Sequence, residues 1–321
     1  MKALFCLVTT ILIAVGSLSM YLVNRPNDLT EQVSFVLDKG AGVRQMSIKL
    51  QKAGVINSPL LFRIVVRILD VDKKLKAGEY MFPPKINMLK VANQLLKGDV
   101  YYRKITLPEG LTSAQMVDLI KKEANLSGEV TLPVAEGSML PETYSFSKGD
   151  SRDSVILQAQ KAMKKVLEIV WVDNQTQVLK NQDELLVLAS IVEKETGIPE
   201  ERRDVASVFV NRLNKGMMLQ TDPTVIYAIT LGQKELGRAL LRKDLEIDSP
   251  YNTYRHYGLP PKPICNPGKE AIIAAANPND TDYLFFVASG NGGHRFARDL
   301  STHNDNVALY KKTIQNKNLI Q

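Results

Sequence analysis

The chain has 321 residues, 45% of them hydrophobic, with 41 lysines and arginines against 34 aspartates and glutamates, a formal charge of +7. That is enough to bury a core in two or three domains, and the basic balance (pI about 9.2) suits nucleic acid, an anionic lipid surface or another polyanion without choosing among them. Two cysteines, Cys6 and Cys265, and three histidines, His256, His294 and His303, show no zinc-like spacing and leave little for a His-rich metal site.

Residues 3–23 form an apolar run without a charge, preceded by Lys2 and followed by Arg25. The run is long enough to span a bilayer as a helix, and it lacks a clear small-residue cleavage site. An uncleaved anchor with its N-terminus inside is expected, in preference to a signal peptide. Cys6 lies within this run, which makes a disulfide with Cys265 implausible.

Residues 34–107 read as a small α/β unit. A strand is expected at 34–37, then a turn at Gly40 and Gly42, then a helix through Met46, Leu50 and Ala53 that Gly54 ends. Ser58-Pro59 reads as an N-cap followed by the first helical position. Strands are expected at 78–82 and 100–107, and between them a helix capped by Asn87 with Val91 and Leu95 on one face. Gly40-Ala-Gly-Val-Arg-Gln-Met46 is echoed by Gly110-Leu-Thr-Ser-Ala-Gln-Met116, each between a strand and a helix. Two copies fall short of a solenoid, and a recurring local turn is as good an explanation.

Residues 125–150 are richer in loop residues and carry Glu136-Gly-Ser-Met-Leu-Pro-Glu-Thr-Tyr-Ser-Phe146; a domain boundary is expected here. A helix is expected over 151–180. The next stretch, Leu185-Leu-Val-Leu-Ala-Ser-Ile-Val-Glu-Lys-Glu-Thr-Gly197, reads as an apolar helix ending in two carboxylates and stopped by Gly197. Glu195 continues the stripe of Leu188 and Ile191. A carboxylic acid there can be half-desolvated, which raises its pKa and keeps a proton available for general acid catalysis. Glu193 aligns with Leu186 and Ala189, so periodicity does not choose between the two.

Pro199 and Glu200 open a further helix on which Val205, Val208, Phe209 and Arg212 share a face. Asp222-Pro223 reads as cap and first helical residue of another, with Gln220 and Thr221 in the loop before it, where polar groups can meet a substrate. The proline-bounded stretch 248–263 carries Tyr251, Asn252, Thr253, Tyr254, Arg255 and Tyr257, a composition suited to stacking on sugar rings and bonding hydroxyls. A helix after Asn266-Pro267-Gly268, a hairpin of 283–288 with 294–297, and a last helix from Thr302 complete the chain. His294 is a further catalytic candidate, but a lone histidine at a strand start is more often structural.

The dinucleotide, Walker A and Gly-x-Ser-x-Gly motifs are absent. A tethered chain with a candidate acid and an aromatic, amide-rich loop points to glycan chemistry. Most glycosidases pair two carboxylates, for which Asp222 is the second candidate. The segments Ala189-Ser-Ile-Val-Glu-Lys-Glu-Thr196, Val205-Ala-Ser-Val-Phe-Val-Asn-Arg-Leu213, Leu219-Gln-Thr-Asp-Pro-Thr-Val-Ile-Tyr227, Tyr251-Asn-Thr-Tyr254, Gly258-Leu-Pro-Pro261 and Gly292-Gly-His-Arg-Phe296 strongly resemble the endolytic murein transglycosylase (YceG-like) family. Glu136-Gly with Leu140-Pro-Glu-Thr-Tyr144 is similar to its central motif.

The resemblance implies an α+β chain: a transmembrane anchor at 1–24, a LysM-like subdomain at 25–107, a connecting region at 108–150 and a mixed α/β catalytic domain at 151–321. It implies a lyase of the bacterial inner membrane, facing the periplasm or cell exterior. This enzyme would cleave the MurNAc–GlcNAc β-1,4 bond of peptidoglycan without water, leave 1,6-anhydroMurNAc ends and help terminate nascent strands. Glu195-Thr196 resembles the Glu-Ser dipeptide of lytic transglycosylases, which assigns the acid to Glu195. Gln220, Thr221, Asp222, Tyr227, Asn252 and Tyr254 are then the expected substrate contacts. Glycan strands, the membrane through residues 3–23 and peptidoglycan synthases are the implied partners; no nucleic acid, cofactor or metal is expected. A muramidase-type hydrolase, with water activated by Asp222 or Glu193, and a non-catalytic wall-binding protein are the alternatives.

Overall fold

The computed structural model describes residues 2–38, 40–70 and 75–318. They divide into two compact units, one of residues 1–103 with 145–150, the other of 104–144 with 151–321.

The first unit begins with α1 (Lys2–Asn24). Within it Cys6–Asn24 is long and apolar enough to cross a membrane, and of its side chains only that of Val23, near its end, is buried. There follow β1 (Val33–Leu37), α2 (Val43–Lys52), α3 (Pro59–Ile68), β2 (Gly78–Phe82) and α4 (Met88–Lys97). β1 and β2 pair antiparallel, with Val33 opposite Phe82 and Leu37 opposite Gly78. Phe35, Leu37, Met46, Leu50, Phe62, Val66, Tyr80, Phe82, Val91 and Leu95 form its core. The helix starts follow local chemistry. Ser58 Oγ accepts from Leu61 N–H at 3.3 Å and Asn87 Oδ1 from Lys90 N–H at 2.9 Å, each satisfying a first-turn donor. Glu79 is fully buried and accepts from Arg103 Nε and Nη2, at 2.9 Å each, and from the Ser34 hydroxyl; the guanidinium holds its carboxyl below the usual range.

The unit division falls within β3 (Arg103–Thr106) and β4 (Thr143–Phe146). β3 is half as long as expected. The second unit continues with α5 (Ser113–Lys122), α6 (Arg152–Val172), α7 (Gln182–Glu195), a 3₁₀ turn at Pro199–Glu201, α8 (Arg202–Asn214) and α9 (Asp222–Thr230). A second 3₁₀ turn (Arg242–Glu246), α10 (Lys269–Ala276), the hairpin β5 (Phe285–Ala288) and β6 (His294–Ala297), and α11 (Leu300–Asn318) complete it. The hairpin pairs Phe285 with Ala297 and Ala288 with His294. The last helix starts before Thr302, because the Asp299 carboxylate accepts the Thr302 N–H at 2.9 Å and so caps it.

α7 is the axis of this unit. Every residue from Leu185 to Val192 is buried, and the helix packs against α6, α8 and α10. A helix apolar on all sides is stable only when surrounded, and Leu188, Ile191 and Val192 meet Val205, Phe209, Ile272 and Ala275 in one core. Gly197 does not stop it. Thr196 turns the chain out in an extended conformation (φ −141°, ψ 131°), and its hydroxyl accepts the Ile198 N–H at 3.0 Å. The echoed segments share a local geometry: Gly40 and Gly110 have φ of +77° and +73°, and Met46 and Met116 are both fully buried.

Candidate active site

Glu195 is the last residue of α7, where the buried helix reaches a partly open surface. Burial pushes its carboxyl pKa up, and the neighbouring Asp222 carboxylate adds to the rise. The Thr221 hydroxyl, bonded to Glu195 Oε1, and the charges of His294 and Arg212 oppose it. The balance holds the carboxyl above its ordinary pKa, with three groups placed to favour its anion.

α9 places the next residues. Asp222 was expected as the cap, but the cap position falls on Thr221, and Asp222 is the first helical residue. The Thr221 side chain is turned to Glu195 and makes no capping bond to its own helix. The Asp222 carboxylate accepts instead from Tyr254 OH at 2.7 Å. Burial, followed by the proximity of Asp222 and Glu195, raises the Tyr254 pKa, so the phenol keeps its proton and remains a donor. Gln220, with φ +49°, is exposed beside them, its N–H donated to Thr253 O at 3.1 Å. A non-glycine residue in this region is strained unless its surroundings hold it, and such residues cluster at functional sites.

Asn252 does not have the exposure a substrate contact needs. It is fully buried; its amide donates to Leu245 O (2.9 Å) and Ile247 O (2.8 Å), and its Oδ1 accepts the Tyr254 N–H at 3.0 Å. It shapes the loop that presents Tyr254. Tyr227 is half-buried one helical turn beyond Asp222 and bonds Glu136 Oε2 at 3.2 Å; its ring lies 4.8 Å from that of Tyr251. It lines a cavity of about 410 Å³ with Lys194, Pro223, Ile226, Thr112, Lys234 and others, of which Lys194 and Pro223 are the sequence neighbours of Glu195 and Asp222.

Glu193 faces another way. Its Oε2 accepts the Gly268 N–H at 3.0 Å, and burial, together with the charge of Glu109, raises its pKa against Arg202 and Lys194. It therefore ties α7 to the start of α10, a structural task distinct from that of Glu195. Cys265 is fully buried, with its Sγ 3.4 Å from Ser190 O.

Three residues of the site are hard to find from sequence. Arg212 is only 8% exposed and bonds three carbonyls, Leu284 O (2.6 Å), Leu219 O (2.7 Å) and Met218 O (3.3 Å), while its guanidinium lies 5.2 Å from the Phe285 ring. The one sequence signal was an arginine on the apolar face of α8. Glu136 accepts from Ser113 N–H (2.7 Å) as well as Tyr227, and burial raises its pKa. Asn266, fully buried, bonds Leu111 O, Ser113 Oγ and Met139 N–H and so joins 111–113 to 139. Nothing in their spacing marks either one. His294 bonds Glu201 twice, through its N–H (2.9 Å) and Nδ1 (2.7 Å), in keeping with a structural reading.

Residues 35–309 match the model of the YceG-like family. A Bacillus subtilis protein named endolytic murein transglycosylase is 33% identical over 91% of this chain and 87% of its own. A Streptococcus pneumoniae protein of the same name is 29% identical over 86% of this chain and 58% of its own. The solved structure of a YceG-like protein from Listeria monocytogenes aligns with a TM-score of 0.53 and 31% identity, over 86% of this chain and 99% of that one. With a family match that runs from β1 into α11 and a relative aligned along nearly all of both chains, the protein belongs to the YceG-like family.

Proposed function

We propose that the protein is an endolytic lytic transglycosylase of peptidoglycan, a lyase that cuts the MurNAc–GlcNAc β-1,4 bond and leaves 1,6-anhydroMurNAc. The relatives named endolytic murein transglycosylase support the enzyme class. The observation that carries the mechanism is a desolvated carboxyl, Glu195, with a hydroxyl fixed on it.

Glu195 gives its proton to the glycosidic oxygen as the bond to the muramic C1 breaks, and the GlcNAc side leaves with that proton on O4. The carboxylate then takes the proton of the muramic C6 hydroxyl, whose oxygen closes on C1. No water enters, and the acid is regenerated. The transient carboxylate is stabilised by the Thr221 hydroxyl and by the buried charge of Arg212. Asp222, held by Tyr254, adds like-charge repulsion to the burial that favours the protonated form of Glu195, so it has a task without acting as a nucleophile or base. Gln220, Tyr227 and Tyr254 are the proposed glycan contacts.

The apolar span Cys6–Asn24 supports a single-pass anchor in the bacterial inner membrane, with the bulk of the chain outside the cytoplasm. The strand–helix–helix–strand segment 33–82 is the proposed LysM-like part of the first unit, and synthases of nascent strands are the proposed partners in ending elongation.

The test is mass spectrometry of products from uncrosslinked glycan strands incubated with the full chain in detergent. Internal cuts ending in 1,6-anhydroMurNAc are expected, with Glu195→Gln at least 100-fold slower. Reducing ends heavier by one water would instead make the enzyme a hydrolase, with Asp222 its base. An active Glu195→Gln enzyme would remove the acid assignment.

A further inference from the structure

Thr221 is gripped on every side but one. Its N–H donates to Thr253 Oγ1 at 3.1 Å, and its carbonyl accepts from Thr224 Oγ1 at 2.7 Å. Thr224 Oγ1 and Thr253 Oγ1 lie 2.8 Å apart. A hydroxyl has one proton. That of Thr224 goes to the Thr221 carbonyl, so Thr253 donates to Thr224 and accepts from Thr221. The directions close into a ring: Thr221 N–H to Thr253, Thr253 O–H to Thr224, Thr224 O–H to Thr221 C=O. All three residues are buried, at 3%, 2% and 0% exposure, so no water competes for these bonds. Thr253 also accepts the Gln220 N–H on its own carbonyl, at 3.1 Å, which holds the left-handed turn at Gln220. The direction left to Thr221 is its side chain, and that is on Glu195.

We propose that Thr253 is a positioning residue for the reaction: it locks the backbone of Thr221 so that the Thr221 hydroxyl stays on Glu195 through both proton transfers. A hydroxyl suits this task because it accepts from a carboxylic acid and donates to a carboxylate. A freely rotating threonine would lose part of this support each time the acid changes state. The proposal rests on the reading of Glu195 as the acid. It adds a buried residue that never meets the glycan but on which the rate depends.

The full chain in detergent is assayed as Thr253→Val, Thr253→Ser, Thr221→Val, the double Thr221→Val/Thr253→Val and Glu195→Gln. Thr253→Val removes the ring donor and acceptor and is expected to lower kcat roughly tenfold, as one oriented hydrogen bond allows, with KM little changed. Its kcat/KM is expected to persist to higher pH than in the parent, because the bond that favours the Glu195 carboxylate is weakened. Thr221→Val should show the same displacement, and Thr253→Ser should restore both rate and profile. The double variant should be no slower than Thr221→Val alone, because Thr253 acts through Thr221. Thermal unfolding monitors each variant; if Thr253→Val is unfolded, Thr253→Ala is measured in its place.

An unchanged pH profile in folded Thr253→Val, or in Thr253→Ala where that takes its place, overturns the proposal. So do additive rate losses in the double variant. If Glu195→Gln is fully active, the acid assignment fails first. If Glu195→Gln is inactive and Thr253→Val behaves as the parent, only the positioning role fails.

Discussion

Replacing Arg212 with methionine tests how the second unit holds its active-site loop. The guanidinium satisfies Leu284 O, Leu219 O and Met218 O from a buried position and sits over Phe285. Methionine fills a similar volume and satisfies none of these acceptors. Hydrogen bonds from charged donors contribute about 1.5–3 kcal/mol each, and a buried carbonyl left unpaired costs about 1–3 kcal/mol. The Met218 bond is long, and the terms are not additive. Against them stands the desolvation cost of burying the charge, which methionine recovers. A net loss of about 2–4 kcal/mol is the expected outcome. Lysine keeps the charge but not the planar fork, so Arg212→Lys should fall between. The assay is denaturant unfolding of the full chain in detergent, followed by fluorescence of the single tryptophan, Trp171, which packs against the core of the second unit. A loss under about 1 kcal/mol for methionine would show that the three carbonyls find other partners and would refute the argument. The variant should also stay active to higher pH, because Arg212 favours the Glu195 carboxylate.

Three other outcomes are expected. Burial raises the pKa of Glu136, Glu193 and Glu195 in the folded chain, so the folded state binds protons that the unfolded chain has released. Stability of the second unit should therefore fall as pH rises from about 4.5 through the raised folded values, and Glu136→Gln should flatten that slope in the Trp171 unfolding signal. Gly137→Ala should cost about 2 kcal/mol or more. Gly137 has φ +77° and a Cβ there would lie 2.7 Å from Pro263 Cγ, so both backbone and packing object; a midpoint equal to the parent's would show that the loop shifts freely. Leu188→Ala, at a fully buried position in α7, should destabilise by about 3 kcal/mol, as a cavity in a packed core does, and a loss below 1 kcal/mol would mean that α10 collapses into the space.

What the sequence reveals here is what is local. The Ser58 and Asn87 caps, the apolar α7 and the β5–β6 hairpin follow from neighbours within a few residues, and each is found where its pattern puts it. Glu195 is legible only in part: both it and Glu193 extend apolar positions of α7, and periodicity does not choose between them. The departures come from contacts that residue type and spacing do not mark. Thr221, not Asp222, occupies the cap position of α9, and its hydroxyl, taken by Glu195 of another helix, makes no capping bond. Asn252 looks like a sugar ligand by composition, yet its amide is taken by carbonyls of its own loop. Arg212 and Glu136 act on partners 72 and 91 residues away, a separation at which residue type and spacing carry no signal.

The meeting of α7 and α9 at Glu195 sets the electrostatics of the acid through the backbone as well. Peptide dipoles leave the end of a helix negative and its beginning positive. Glu195 is the last residue of α7, and Thr221, at the positive start of α9, touches it. The helix that carries the carboxyl therefore resists its ionisation, and the helix that faces it welcomes it. Both fields are built from main chain, which no side-chain substitution removes. The acid is thus suspended between two opposed helix ends, so that small movements of α9 toward or away from α7 shift the balance between holding a proton and giving it up.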